Sequence, residues 1–554
     1  MKGSPISTIC ASLLLMWMLL AACAACAACA PMRIAQDAPL ARAPSLRAAF
    51  DRMPAPVVSG RIRILSDNMD AWATRWRMIE QARHRVDVQY FIIEADAFGL
   101  ALLGLLDEKR QQGADVRLMV DSRGTPKLSR AFAGLHLLDQ LAGDGIEVRV
   151  YNTVETQLGA AAHGDLRKLV ASNHDKLIIV DDRTSILGGR NISADYLSDP
   201  RDLESAFIDM DVVIEGTAAA AALTRAFTTE LHTKNAISVK AGRSDDDKDA
   251  LGLATALMRT WLNAAPFSSQ EIEALRNPEA REALALELEG TLVGNLDHIP
   301  SDGVRALVRT LTTQLVTLPR LRGALRTKTP HPGESDLEPV HILDTRSAAS
   351  PAMRDRVTEN LLVAIDAAEH DVVLQSPYLI LSERGMGTLE AAARRGVHVT
   401  FFTNSPVSSD SPITQAAFLQ QWPEILARVP TARLFVVGID RVMHAKVSIL
   451  DGTLSFVGSY NLDPISAHTN GEVVSVVWSQ RFAGKLQALI SSRIARKRPG
   501  VFEYTIRRDD QGAALRDGDG HPIVSFGPDD HCDAASLAEA RAQDPLLAVL
   551  APFF

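Results

Sequence analysis

From residue 69 onward the chain alternates between two hydrophobic rhythms. Met69 to Arg83 reads as helix, Val86 to Ile93 as an apolar strand, Gly99 to Gln112 as helix and Val116 to Asp121 as strand. Ser129 to Ala142 reads as a further helix and Ile146 to Tyr151 as a strand, on the periods of about 3.6 and 2 residues that the two structures impose. Strands alternating with helices predict βαβ units and a mostly parallel sheet, an α/β fold. The pattern then returns. Ala82-Arg83-His84-Arg85-Val86-Asp87-Val88-Gln89-Tyr90 is echoed by Ala367-Ala368-Glu369-His370-Asp371-Val372-Val373-Leu374-Gln375, and Gly113-Ala114-Asp115-Val116-Arg117 by Gly396-Val397-His398-Val399-Thr400. An internal repeat at this separation is about one domain long.

Between the halves, Thr217 to about Pro330 is rich in Ala and Leu at helical spacing and is interrupted by Asp245-Asp246-Asp247, expected to be a solvated loop. After the second half, Val501 to Ile506 and the turn Asp517-Gly518-Asp519-Gly520 predict a small hairpin. The apolar tail from Pro545 to Phe554 is expected to pack on the protein. The first residues carry Lys2, an apolar run from Ile9 to Leu20, and Leu20-Ala21-Ala22-Cys23, the layout of a secretory signal. The expected organisation is a signal segment (1–23), a Pro- and Arg-rich tether (24–56), a first lobe (57–216), a helical insertion (217–339), a second lobe (340–497), and a hairpin with an apolar tail (498–554).

With 47% hydrophobic and 23% charged residues, the 554-residue chain has the composition of a globular protein, which excludes collagen-like, disordered and multi-span membrane classes. Its net charge of −9 leaves no whole-surface basic footprint for nucleic acid, so an anionic substrate has to be held by a local positive field. Four of the 5 cysteines fall within the first thirty residues, so no disulfide framework is available. The Cys23, Cys26 and Cys29 spacing lacks the His or second Cys pair of a metal site.

The chemistry lies in a duplicated motif. His174-Asp175-Lys176-Leu177-Ile178-Ile179-Val180-Asp181 and His444-Ala445-Lys446-Val447-Ser448-Ile449-Leu450-Asp451 both read H-x-K-x4-D. Six residues after each motif come Gly188-Gly189-Arg190-Asn191 and Gly458-Ser459-Tyr460-Asn461. Two copies with the same tail are a specific signal. The β-branched run after each lysine predicts a strand, on which His174 and Lys176, and His444 and Lys446, share a face. The odd spacing of Asp181 and Asp451 sets them off that face, as structural partners within the motif rather than attacking groups. Asn191, Asn461 and Ser459 are candidates for holding phosphate oxygens. If the halves pack about a pseudo-twofold axis, two imidazoles and two ammonium groups converge on one point. Such an array suits a phosphodiester: one imidazole attacks phosphorus and the other protonates the leaving alkoxide. No metal or other cofactor is required. A carboxylate on the far nitrogen of each histidine fixes its tautomer. Glu472 is one candidate, and Asp209 or, alternatively, Asp211 is the other, as the acid for His174.

These motifs resemble the phospholipase D superfamily, whose signature is H-x-K-x4-D. Gly188-Gly189-Arg190-Asn191-Ile192-Ser193, Ser376-Pro377-Tyr378 and Asn461-Leu462-Asp463-Pro464 are similar to the bacterial cardiolipin synthase C type within it. The resemblance implies two α-β-α sandwich lobes packed about a pseudo-twofold axis and a two-step reaction through a phosphohistidine. By position, His174 is the nucleophile and His444 the general acid, and Lys176, Asp181, Lys446 and Asp451 complete the catalytic motifs. It implies a phospholipid substrate, with phosphatidylglycerol as both donor and acceptor in cardiolipin synthesis. Hydrolysis to phosphatidic acid and nuclease chemistry are alternative uses of the same core. Leu20-Ala21-Ala22-Cys23 resembles a lipobox, which implies a bacterial envelope protein lipidated at Cys23 and facing the periplasm. One chain suffices for the site, and no nucleic-acid partner is expected. Ile465 stands where that type leads one to expect arginine after Pro464, and the insertion after Thr217 makes the chain longer than expected.

Overall fold

The computed structural model describes residues 42–162, 171–296, 298–326, 336–346, 356–495 and 499–550. The signal segment, Cys23 and most of the tether lie outside them.

The first half contributes β1 (Val58–Leu65), β2 (Arg85–Tyr90), β3 (Asp115–Asp121), β4 (Glu147–Tyr151), β5 (Lys176–Val180), β6 (Thr184–Gly188), β7 (Asp211–Glu215) and β8 (Ala236–Ser238). The second contributes β9 (Leu337–Thr345), β10 (Asp371–Gln375), β11 (His398–Asn404), β12 (Ala432–Val437), β13 (Val447–Leu450), β14 (Leu454–Gly458), β15 (Glu472–Trp478), β16 (Val501–Ile506) and β17 (Val524–Phe526). Spatial order in the first lobe is β8-β4-β3-β2-β5-β6-β7-β1. The second repeats it as β9-β15-β14-β13-β10-β11-β12-β16. The equivalent strands β1 and β9 pair antiparallel, Val58 opposite Val340, so the two sheets join edge to edge across a pseudo-twofold axis.

Only β2-β3-β4 and β10-β11-β12 run parallel. The sheet is therefore mixed rather than mostly parallel, because each motif strand turns back on itself. Asp181 and Asp182 have φ of 52° and 51°, and Asp451 and Gly452 have 47° and 54°. Two successive left-handed residues make the turn that suits a two-stranded hairpin, and here it links β5 to β6 and β13 to β14. The helix expected over Ser129–Ala142 is confined to Leu137–Gly143. Ala133 and Gly134, with φ of 52° and 83°, form a tight turn that closes Phe132 onto Leu135.

Side chains alternate across the strands. Ile178 and Val180 face an outer core with Trp72, Trp76, Phe98 and Trp261. Leu177 and Ile179 face a core shared with Val447, Ile449, Val457 and Val473 of the other lobe. The helix Thr217–Leu231 also buries Leu223, Phe227 and Leu231 in that shared core, so it belongs with the lobes and not with the insertion. The insertion proper spans the helices Asp245–Asn263, Ser269–Ala274, Pro278–Gly294 and Asp302–Val316, and it covers the outer core of the first lobe through Leu251, Trp261, Val308 and Leu311. The run Asp245-Asp246-Asp247 is not a loop but the first turn of a helix capped by Ser244, where the helix dipole favours acids.

Part of the expected tether is also folded. Leu46–Asp51 is helical, and Phe50 is buried against His341 and Trp478 at 4.4 and 5.5 Å between ring centroids. The hairpin β16–β17 is present, and at the C-terminal helix Asp544–Leu550 the Asp544 carboxylate accepts from Gln420 Nε2 at 2.9 Å.

Candidate active site

The geometry of the site begins with the two hairpins. Each leaves its motif aspartate in the turn, and each carboxylate there accepts a row of backbone N–H groups. Asp181 takes those of Arg83, His84 and Arg85 at 2.7–3.2 Å. Asp451 takes those of Glu369, His370 and Asp371 at 2.8–3.0 Å. Both aspartates thus tie the hairpin to the loop entering the neighbouring strand. Seven residues of near-extended chain, about 20 Å, separate them from the histidines. Their grouping with the catalytic residues is corrected accordingly: they touch backbone, not the reacting centre.

At the other end of the strands the lobes exchange backbone bonds. His174 N donates to Gly471 O at 2.9 Å and Gly471 N to Ser172 O at 3.0 Å; His444 N donates to Ile208 O at 2.7 Å and Ile208 N to Val442 O at 2.8 Å. Each histidine therefore lies beside the acid-bearing segment of the opposite lobe, and the pairing is crossed. His174 Nδ1 is 3.0 Å from Glu472 Oε1, and His444 Nδ1 is 2.8 Å from Asp209 Oδ2. Asp209 and Glu472 are equivalent positions, because Gly188 faces Asp211 and Gly458 faces Val474. The partner expected for His174, Asp209 or Asp211, is corrected to Glu472. Asp211 is engaged elsewhere, buried between Arg75 and Arg190 at 2.8 and 3.0 Å.

The glycine–serine difference between the two tails follows from these acids. A Cβ on Gly189 would lie 2.2 Å from Asp209 Oδ1, so only glycine lets that carboxylate sit there. At the equivalent place Ser459 Oγ donates to Glu472 Oε2 at 2.5 Å and accepts from Val473 N at 3.0 Å. Ser459 is thus occupied in holding Glu472, with Ser466 Oγ on the other oxygen at 2.7 Å. This corrects its expected role as a phosphate contact. Asn191 Oδ1 accepts from Ile92 N at 3.1 Å, which fixes its amide. Asn461 is buried, and its Oδ1 has no hydrogen-bond partner among the described residues.

Both lysines bend back onto their histidines. Lys176 Nζ donates to His174 O at 2.6 Å, and Lys446 Nζ to His444 O at 2.5 Å. Burial, together with Lys176 and Lys446, pushes His174 well below its ordinary 6.5. His444 is lowered too, by burial and Lys446, but Asp209 opposes the shift. Burial brings Lys176 down to about 7 and Lys446 to about 8. For Glu472 burial wins and raises it to about 7. In Asp209 burial is outweighed by His444 and Lys446, which hold it at about 2. With Nδ1–H directed at Glu472, neutral His174 keeps its lone pair on Nε2, as a nucleophile must. His444, beside an ionised aspartate, is the easier of the two to protonate.

Several further groups surround the pair, and of these Tyr378, in Ser376-Pro377-Tyr378, belongs to a motif singled out in the sequence. Phe91 stands edge-on to His174 at 5.2 Å, and Tyr196 edge-on to His444 at 5.1 Å. Tyr378 OH donates to Asp410 Oδ1 at 2.8 Å, and Asp410 bears electrostatically on His444 and Lys446. Behind His174, Gln89 Nε2 bonds Asn173 and Asp175 at 2.7 and 3.0 Å. Among the described residues no group of His, Cys, Asp and Glu is arranged to hold a metal ion.

The family described as "Cardiolipin synthase, PLD-like domain" matches residues 76–231 and 361–494, which together make up more than half of the chain and contain both motifs. The chain belongs to the phospholipase D superfamily. Cardiolipin synthase C of Escherichia coli is 26% identical over 76% of this chain and 81% of its own length. The probable cardiolipin synthase YwiE of Bacillus subtilis is 22% identical over 77% of this chain, which spans 64% of that protein. Among solved structures, phosphatidylserine synthase of Haemophilus influenzae superposes with a TM-score of 0.52 at 14% identity, over 83% of this chain and 91% of that one, and so shares the duplicated fold. This superfamily member is a phosphatidyltransferase, and each of its two matched segments lies within one of the two lobes described above.

Proposed function

We propose that this phospholipase D superfamily enzyme makes cardiolipin from two molecules of phosphatidylglycerol. His174 Nε2 attacks phosphorus of the first, the P–O bond to glycerol breaks, and His444 gives its proton to the departing alkoxide. The primary hydroxyl of the second phosphatidylglycerol then loses its proton to His444 and attacks phosphorus, the P–N bond breaks, and cardiolipin leaves. Lys176, Lys446, Asn191 and Asn461 hold the non-bridging oxygens through both steps. Glu472 and Asp209 position the imidazoles. The crossed pairs support this reading most directly, since they leave one histidine as a lone-pair donor and the other as a proton carrier. The names of the relatives favour cardiolipin as product.

The anchor belongs to the same proposal. Lipidation at Cys23 would tether the enzyme on the periplasmic side of the bacterial envelope and raise its effective concentration at a bilayer. No helix among the described residues is long and apolar enough to cross a membrane.

Incubation with phosphatidylglycerol vesicles and, in parallel, with single-stranded DNA tests the proposal. Cardiolipin and glycerol in equal amounts are expected. Phosphatidic acid alone would replace transfer by hydrolysis, and unchanged lipid beside cleaved single-stranded DNA would overturn a lipid substrate altogether.

A further inference from the structure

The insertion, Met69 and the loop after Tyr196 line an open cleft of about 730 Å³ whose lining includes none of the residues around the two histidines. That volume is in the range of ligand pockets. Phe267, Ile272, Leu275 and Val316 give it an apolar floor. Its rim carries Arg201, Arg276, Arg281, Arg320 and Arg322, facing the carboxylates of Asp202 and Glu273. Arg201 is also paired with Asp199 at 2.6 Å, so a chain of net charge −9 still gathers an excess of two positive charges around one concavity.

The arginines differ in how firmly they are held. The Arg322 guanidinium lies over Phe267 and Trp261 at 4.3 and 5.3 Å and donates to Ala265 O at 2.9 Å, which fixes its plane. Arg320 is tied to Asp202 through both its backbone N and its guanidinium. Arg281 has no carboxylate partner among the described residues. Arg276 has only Glu273 three residues before it, with side chains 78% and 64% exposed, a pair of little worth that a ligand displaces easily. Guanidinium forks match the oxygens of a phosphate, and the floor calls for an apolar body attached to it. A phosphate-bearing amphiphile satisfies both; a bare anion leaves the floor empty, and a neutral lipid leaves the arginines unanswered.

We propose that this cavity is a second lipid site, which binds the phosphodiester headgroup of an anionic phospholipid with its first methylenes over Phe267 and Ile272. The choice of phosphatidylglycerol as that lipid rests on the proposed function. Most of its lining belongs to the insertion, outside the segments that match the family, while Arg201 and Asp202 lie within the first of those segments. It is also joined to the catalytic centre. Arg201 and Asp202 sit on the loop that runs from Tyr196 to Phe207, whose rings contact His444 at 5.1 and 6.0 Å, and on to Asp209.

Calorimetric titration with dihexanoylphosphatidylglycerol below its micellar concentration tests the site, in a His174→Asn background that prevents turnover. Binding at the cavity is expected in addition to donor and acceptor binding at the catalytic centre. Adding Arg276→Glu and Arg281→Glu, both on the solvent side, removes the cavity binding or weakens it at least tenfold, and Ile272→Glu on the floor does the same. Dihexanoylphosphatidylcholine, whose quaternary ammonium would stand among the rim arginines, binds the cavity at least tenfold more weakly. Unchanged stoichiometry and affinity in both variants would overturn the proposal. Inorganic phosphate binding as tightly as the lipid, through the same arginines, would also overturn it in favour of a free anion. Cardiolipin formation by the wild type together with a titration that the cavity variants leave unchanged overturns this inference and leaves the proposed function standing; a site lost in those variants without cardiolipin formation by the wild type does the reverse.

Discussion

Glu472 and Asp209 each touch the imidazole of the other lobe, at 3.0 and 2.8 Å, and the crossing decides what their loss does. Glu472→Gln leaves His174 without a fixed tautomer and lowers kcat by about 100-fold or more, measured on phosphatidylglycerol vesicles. It acts on the first step although Glu472 belongs to the second lobe. Asp209→Asn acts on His444 and slows departure of glycerol and attack by the acceptor. The two lysines set the alkaline pH limit. In the proposed mechanism they hold phosphate oxygens, which they can do only when charged, and burial has brought them down to about 7 and about 8. As pH rises through those values the ammonium forms are lost, so kcat/KM falls on the alkaline side from about pH 7 to 8. His174 stays neutral until well below 6.5, but Glu472, raised by burial to about 7, is protonated first as pH falls, so the acid limb begins at about pH 7. A kcat/KM profile that still climbs above pH 9 would contradict this assignment. The histidines and lysines were legible in the sequence because the motif occurs twice. Their acid partners were not: Asp209 and Asp211 lie two residues apart on one face, and only contact across 298 and 235 residues of chain shows which histidine takes which acid.

At the scale of elements, the hairpins place the chemistry. Asp181 and Asp451 each gather three N–H groups onto a turn that already holds left-handed residues. Asp451→Asn is expected to lower stability by about 1–2 kcal/mol, seen as a lower Tm, with kcat of the folded enzyme retained. A loss of kcat without a loss of Tm would return this residue to the reacting centre. The alternation of helix and strand announced an α/β fold, but β5–β6 and β13–β14 turn back where a parallel sheet would cross over. Asp451-Gly452 is a strong hairpin signal inside the motif, where the spacing marks Asp451 as a structural partner without showing that it makes the turn. The break at Ala133–Gly134 likewise shortened a helix whose apolar spacing ran on past it. The insertion was visible as a helical pattern. Its first helix was not separable from it by periodicity, because Thr217–Leu231 is amphipathic like those that follow and differs only in what it covers.

The molecule as a whole is one catalytic unit built from two copies of a lobe, joined at β1–β9 and by the backbone bonds beside each histidine. Each lobe holds the carboxylate the other needs, so half the chain has no complete histidine–acid pair. Because both pairs form within one chain, mixing His174→Asn with His444→Asn protein should restore no activity; recovery toward a quarter of the wild-type rate would mean that chains exchange lobes. The repeat made the two lobes legible in the sequence, whereas their mutual docking depends on surfaces that no local pattern reports. The central claim is that His174 is the nucleophile of a site completed by the second lobe, and covalent labelling with phosphatidylglycerol carrying radioactive phosphorus tests it most directly. Label on the protein is expected in His444→Asn, at a higher level than in the wild type, and absent in both His174→Asn and Glu472→Gln. Label persisting in His174→Asn and missing from His444→Asn would contradict the account.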